Sequence, residues 1–175
     1  MKNKEMKKAL TFAGLLFVVL TSTAQYQSAI GLKVNHYKLG INYKVFVSEK
    51  NALDLELDFQ ETGIEFIGLY NWQVPITAVE GLYWYYGFGM NAGRWANAGI
   101  RELSIGIDGQ IGIEYTPVDI PFAFSIDYTP NFSVANTKVI ASDTYSWRSA
   151  FWRQNWAIGI KYTFGKSSGE SGVEN

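Results

Sequence analysis

The chain has one histidine, His36, in Val34-Asn35-His36-Tyr37. A histidine acts as a general base when a hydroxyl or thiol nucleophile and an orienting carboxylate converge on it. The chain has no cysteine, and no serine stands at a recognisable spacing from His36. The residue therefore reads as part of a surface hairpin turn. Asp54, Glu56 and Asp58 offer a second possibility, because carboxylates two residues apart on one strand face project about 7 Å apart and could ligate Ca²⁺. Salt bridges to Lys33, Lys44, Arg153 or Lys161 are the better use of the same acids, since those bases would otherwise be buried without partners. Gly87, Gly89 and Gly93 lack both the G-x-G-x-x-G spacing and the following helix of a phosphate loop, so they read as room made inside a narrow structure. Two polar stretches, 93 to 102 and 134 to 150, alternate rings with charge: Arg94, Trp95, Arg101 and Glu102 in one, Lys138, Asp143, Tyr145, Trp147 and Arg148 in the other. They read as solvated loops whose tips could grip lipopolysaccharide, a sugar or a protein. No catalytic, cofactor-binding or metal-binding residue is assigned from the sequence.

What must position these residues is a set of strands. Apolar side chains recur with period two, and after residue 24 no stretch keeps a period of 3.6, which predicts an all-β chain. Eight strands are expected, near 27 to 35, 38 to 47, 52 to 60, 63 to 74, 82 to 92, 103 to 116, 122 to 133 and 151 to 164. The third shows the pattern most clearly. In Ala52-Leu53-Asp54-Leu55-Glu56-Leu57-Asp58-Phe59-Gln60 one face is leucine and phenylalanine and the other is acid. The fourth is the weakest case, since Ile67 and Leu69 fall on its polar side.

The ends and the composition limit the setting. Residues 1 to 24 carry Lys2, Lys4, Lys7 and Lys8, an apolar run from Ala9 to Leu20, and the small residues Ser22 and Ala24, which is the order of a secretory signal peptide. The run is shorter than the roughly 20 residues a membrane helix needs. The domain organisation expected is a signal peptide over 1–24, a barrel domain over 25–164 and a polar, disordered tail over 165–175. Removing the leader leaves 11 basic against 15 acidic side chains, so no basic excess suggests a nucleic-acid partner. Without cysteine, an envelope protein must be stable without disulfides.

Alternation alone says only that two faces meet different solvents. Three features decide which face is inside. Tyr70, Trp72, Trp84, Tyr86, Tyr115, Phe122, Phe124, Tyr162 and Phe164 fall at the same ends of successive strands, with Phe59, Phe132, Trp152 and Trp156 toward the other ends, as in the aromatic girdles of a membrane barrel. Strands of about ten residues, tilted about 45°, match an apolar band ~25 Å tall. The polar face is rich in glycine and carries both signs of charge, which suits an interior of ion pairs. Seven acids (Asp54, Glu56, Asp58, Glu65, Asp108, Glu114, Asp127) and up to five bases (Lys33, Lys38, Lys44, Arg153, Lys161) should point inward. The expected fold is an eight-stranded antiparallel up-and-down transmembrane β-barrel with a polar, filled lumen.

The last strand reads Ala157-Ile158-Gly159-Ile160-Lys161-Tyr162-Thr163-Phe164, in which Gly159, Tyr162 and Phe164 match the outer-membrane assembly signal; Ala157 departs from its polar position, and eleven residues follow. With the leader and the strand count, the chain resembles the small OmpA/OmpX-type outer-membrane barrels of Gram-negative bacteria. The resemblance implies a cell outer-membrane location, insertion by the barrel-assembly machinery, contact with outer-membrane lipid and lipopolysaccharide, and a monomer. It implies no activity. The expected role is structural or surface-interacting, with no catalysis, no cofactor and no open pore. Two alternatives remain: a lipid-modifying barrel enzyme built on His36, and a soluble lipocalin-like binder with the Leu and Ile face inside.

Overall fold

The computed structural model describes residues 26–152 and 155–165; the leader and tail readings, and Arg153, lie outside the described residues. All regular structure is β: β1 (Ser28–Val34), β2 (Leu39–Phe46), β3 (Asn51–Gln60), β4 (Gly63–Pro75), β5 (Leu82–Asn97), β6 (Ile100–Tyr115), β7 (Phe122–Tyr128), β8 (Asn131–Val139), β9 (Thr144–Trp152) and β10 (Trp156–Phe164). Every pairing is antiparallel. β1 through β6 pair in sequence; β6 then pairs with both β7 and β8, β7 pairs with β10, β8 with β9, and β10 closes onto β1. β7 with β8, and β9 with β10, each form one interrupted stave, so the ten segments make a closed eight-stranded barrel. Closure leaves no sheet edge around the ring itself.

The interruptions have separate causes. Between β7 and β8 the register against β6 is unbroken, but Pro130 lacks an N–H and only its carbonyl is used, by the Gly109 N–H at 3.0 Å. At the junction of β9 and β10, Asn131 pairs with Trp152 and Tyr128 with Trp156, so the chain has one more residue between Trp152 and Trp156 than between Tyr128 and Asn131. The Thr129 N–H donates to the Asn155 carbonyl at 2.9 Å. The extra residue inverts the phase. The exposed large apolar side chains are odd-numbered on β9 (Tyr145, Trp147, Phe151) and even-numbered on β10 (Trp156, Ile158, Ile160).

The faces fall as the alternation requires. Ile107 is 62% exposed and Ile158 66%, while Glu56 and Asp108 are buried. Rings meet around the end of the barrel that carries Tyr26 and Gly165, here called the terminal end: Trp72 stacks on Tyr86 (centroids 5.6 Å apart), Tyr86 on Trp84 (5.2 Å), and Tyr162 touches Phe122 and Phe164 edge-on. The opposite end is sparser, with Phe59, Phe132 and Trp156 exposed and Tyr128 against Trp156; the side chain of Trp152 lies outside the described residues.

One expectation needs correction. The stretches 93 to 102 and 134 to 150 are not loops. β5 and β6 are 16 residues each and turn over at Ala98-Gly99, both with positive φ (43° and 81°), the two-residue hairpin turn whose twist matches its strands. Likewise β8 and β9 pair from Asn131–Trp152 to Val139–Thr144. These two hairpins stand beyond the ring at the end remote from Tyr26 and Gly165, here called the tip end. Within the polar interior Ile67 and Leu69 are buried, on the side of β4 where the alternation placed them, and Tyr26, Ala29, Phe46, Ala52 and Ala123 form an apolar cluster at the terminal end.

Candidate functional site

The charged groups of the barrel interior come from strands that cannot avoid placing them there, since each shares its phase with neighbours whose apolar side chains point out. At the terminal end Glu114 is fully buried. Its carboxylate receives Lys161 Nζ at 2.6 Å, Lys44 Nζ at 3.1 and 3.2 Å, and the Tyr26 hydroxyl at 2.7 Å. Lys44 also donates to Gln73 Oε1 at 2.6 Å and stands 4.9 Å from the Tyr85 ring centre and 5.3 Å from that of Phe46. An ammonium against ring faces keeps part of the electrostatic stabilisation it lost with its water. Gly112 leaves the space that Tyr85 occupies, because a Cβ there would collide with the tyrosine hydroxyl and the Asp127 side chain.

Farther along the axis Lys33 bridges Glu56 (2.7 Å) and Asp127 (3.0 Å), tying β1 to β3 and β7. Tyr85 donates to Asp127 at 3.0 Å, Asn71 to Gln110 at 2.8 Å and Asn91 to Asp108 at 2.7 Å. Toward the tip, Lys38 pairs with Glu65 and, at 3.3 Å, with Asp58. Burial disfavours the Lys38 ammonium, but Glu65 and Asp58 outweigh it and hold its pKa above the ordinary lysine range. The seven acids named from the sequence are all buried, as are the four lysines. Acids outnumber described bases, and neutral donors supply the difference: Asp54 takes the Asn42 amide instead of a lysine. The Asp54, Glu56, Asp58 row is thus divided among an asparagine and two lysines. Among the described residues no cluster of three or more His, Asp or Glu side chains is disposed to hold a metal.

His36 is where its neighbours place it. Asn35 Oδ1 accepts the N–H groups of Tyr37 (3.0 Å) and Lys38 (2.8 Å), closing the β1–β2 turn, and the exposed His36 ring packs edge-on against Tyr37. Among the described residues it forms no hydrogen bond to a hydroxyl or carboxylate. Gly87, Gly89 and Gly93 lie on β5 with no helix after them; a Cβ on Gly87 would enter Asn71 and one on Gly89 the backbone of β4.

What the sequence reading missed lies at the tip end. The two protruding hairpins and the turns at 35–38 and 60–63 enclose a cavity of about 420 Å³ above the ion-pair network. Trp95 and Glu102 enter it from the β5–β6 hairpin and Arg148 from β9; Arg148 Nη2 donates to both oxygens of Glu102 at 2.8 and 2.7 Å, and Thr137 donates to the same carboxylate at 3.0 Å. Trp95 shares the inward phase of Asn91 and Gly93, a signal that the strand periodicity carries once the strand is extended past residue 92. On the outside of the other hairpin, Lys138 meets Asp143 at 2.7 Å and lies over the Tyr145 ring. The Asp143 hydrogen bond raises the pKa of this solvated lysine.

Fold and interior together define a closed eight-stranded antiparallel β-barrel with a charged, side-chain-filled interior and an apolar exterior. No protein-family model matches the chain, and no curated protein matches it.

Proposed function

We propose that this chain is an integral outer-membrane β-barrel protein with a structural or surface-interaction role, without catalysis and without an open pore. The observation that carries the proposal is the inversion of the barrel: large apolar side chains on every strand are exposed while all seven acids named above are buried. In water such an exterior would be an apolar patch far beyond the few hundred Å² a monomer ordinarily shows. Against acyl chains it is the favourable arrangement, and a closed ring leaves no unbonded backbone in hydrocarbon. The ring contacts at the terminal end supply an interfacial girdle. A lipocalin-like binder would need the opposite arrangement, with the Leu and Ile face inside, and the buried charges stand against it. Eight strands enclose an interior that side chains fill, which supports the absence of a pore. An even number of staves puts both termini on one side, read as periplasmic, and the tip end outside. Partners on this reading are membrane lipid and lipopolysaccharide, with the barrel-assembly machinery during insertion, and the protein acts as a monomer.

The test is fractionation followed by gel electrophoresis with and without boiling. The expected result is recovery in the outer-membrane fraction and a shift in mobility on heating. Extraction by neutral buffer without detergent, with a single mobility, overturns the proposal.

A further inference from the structure

The tip cavity has the composition of a binding site and not merely of a gap between hairpins. Its volume of about 420 Å³ falls within the roughly 300–1,000 Å³ of small-molecule sites. Its charges are already used: Lys38 by Glu65 and Asp58, Arg148 by Glu102. Among the described residues that line it, no cation or anion is left without a partner to select a charged ligand, so the remaining recognition elements are neutral. Asn131, Ser104 and Ser133 line the cavity and are each more than nine-tenths buried, and Asn131 Oδ1 has no hydrogen-bond partner. The side-chain amide of Asn131 and the hydroxyls of Ser104 and Ser133 are the neutral hydrogen-bonding groups of this wall. Beside these groups lies the Trp95 indole. A Cβ at Gly63 or at Gly93 would strike that ring, so the two glycines let the indole lie close against the strand backbones.

A flat ring fixed beside amide and hydroxyl groups, with no net charge, matches a ligand that has an apolar C–H face and a rim of hydroxyls. We propose that the tip cavity binds a neutral sugar residue, seated on Trp95 with its hydroxyls on Asn131, Ser104 and Ser133. The outward-facing reading of the tip end determines only where the sugar comes from; the binding itself requires only the folded barrel.

The test uses the full mature chain folded in an alkyl amine oxide detergent, because a sugar-headed detergent would compete. Probes are glucose, N-acetylglucosamine and maltose, with glucuronate and glucosamine as charged counterparts, followed by saturation-transfer NMR and calorimetry. At least one neutral probe is expected to bind. Trp95→Ala and Asn131→Ala should each weaken it about tenfold, roughly 1.4 kcal/mol, with Trp95→Phe intermediate. All variants must retain the heat-dependent gel shift, which confirms folding. Binding of maltose but not of a glucose polymer points to free sugars, and binding of both to glycan chain ends; either supports the site. Absence of saturation by every neutral probe up to about 100 mM, tighter binding of a charged counterpart, or unchanged affinity in Trp95→Ala overturns it. A protein that shows the gel shift but binds no sugar defeats this inference alone, whereas a folded, sugar-binding protein recovered in neutral buffer without detergent defeats the membrane reading and leaves the sugar result standing.

Discussion

Glu114→Ala is expected to be the most destabilising single substitution in the barrel interior. Removing one partner of a buried ion pair costs about 3–5 kcal/mol, because the remaining charge loses its compensation. Here one carboxylate serves Lys44 and Lys161 and also accepts the Tyr26 hydroxyl, all in a fully buried setting. The loss should therefore reach or exceed the upper end of that range, about 5 kcal/mol, and appear as a lower urea midpoint for the barrel folded in lipid. The triple substitution Glu114→Leu, Lys44→Met, Lys161→Met separates electrostatics from packing. Apolar replacements of similar volume leave no orphaned charge and should recover most of the stability. If Glu114→Ala stays within about 1 kcal/mol of the parent, the network is not what holds the terminal end together.

The second large effect is on the outside. Ile160 is 45% exposed and lies on β10 between Tyr162 and Ile158, opposite Leu32 of β1. In a bilayer, Ile160→Arg should cost about 2–4 kcal/mol, the penalty for arginine near the midplane of an outer-membrane barrel. At an exposed site in water the same change would fall within about 0.5 kcal/mol. Parallel urea titrations of the parent and Ile160→Arg in bilayers read the difference directly. A cost below about 0.5 kcal/mol would mean that this face does not meet acyl chains.

Much of this structure is written in period two. The alternation in β3 gives the inward phase of Asp54, Glu56 and Asp58, and the same rule places Lys33, Lys44, Glu114 and Lys161 inside. Phase does not give partners. Which lysine meets which acid depends on the stagger of strands around the ring, so Lys44 and Lys161 converge on Glu114 while Asp54 is left to Asn42. Ile67 and Leu69 break the pattern because an interior pinned by ion pairs tolerates aliphatic volume where no charge is needed. The tip hairpins were hidden by their composition: Arg94, Asn97, Arg101 and Lys138 read as loop, yet a strand whose outer face meets water needs no apolar row there. Ala98 also lacks the asparagine or aspartate usual before glycine in so tight a turn. The extra residue between Trp152 and Trp156 left one trace in the sequence, the change from odd-numbered Tyr145 and Trp147 to even-numbered Trp156 and Ile158. The tip cavity could not be read before those hairpins were extended, because its walls come from four separate connections.

The most direct test of the account is the solvent met by the outward face. The chain contains no cysteine, so single cysteines at Leu55, Ile107 and Ile158 can each carry a nitroxide label in lipid bilayers, with Asn97 at the tip turn as the aqueous reference. The expected result is that dissolved oxygen relaxes the three strand labels far more effectively than a water-soluble nickel chelate, with the reverse at Asn97. Equal relaxation by the chelate at Leu55, Ile107 and Ile158 would contradict the membrane-embedded barrel.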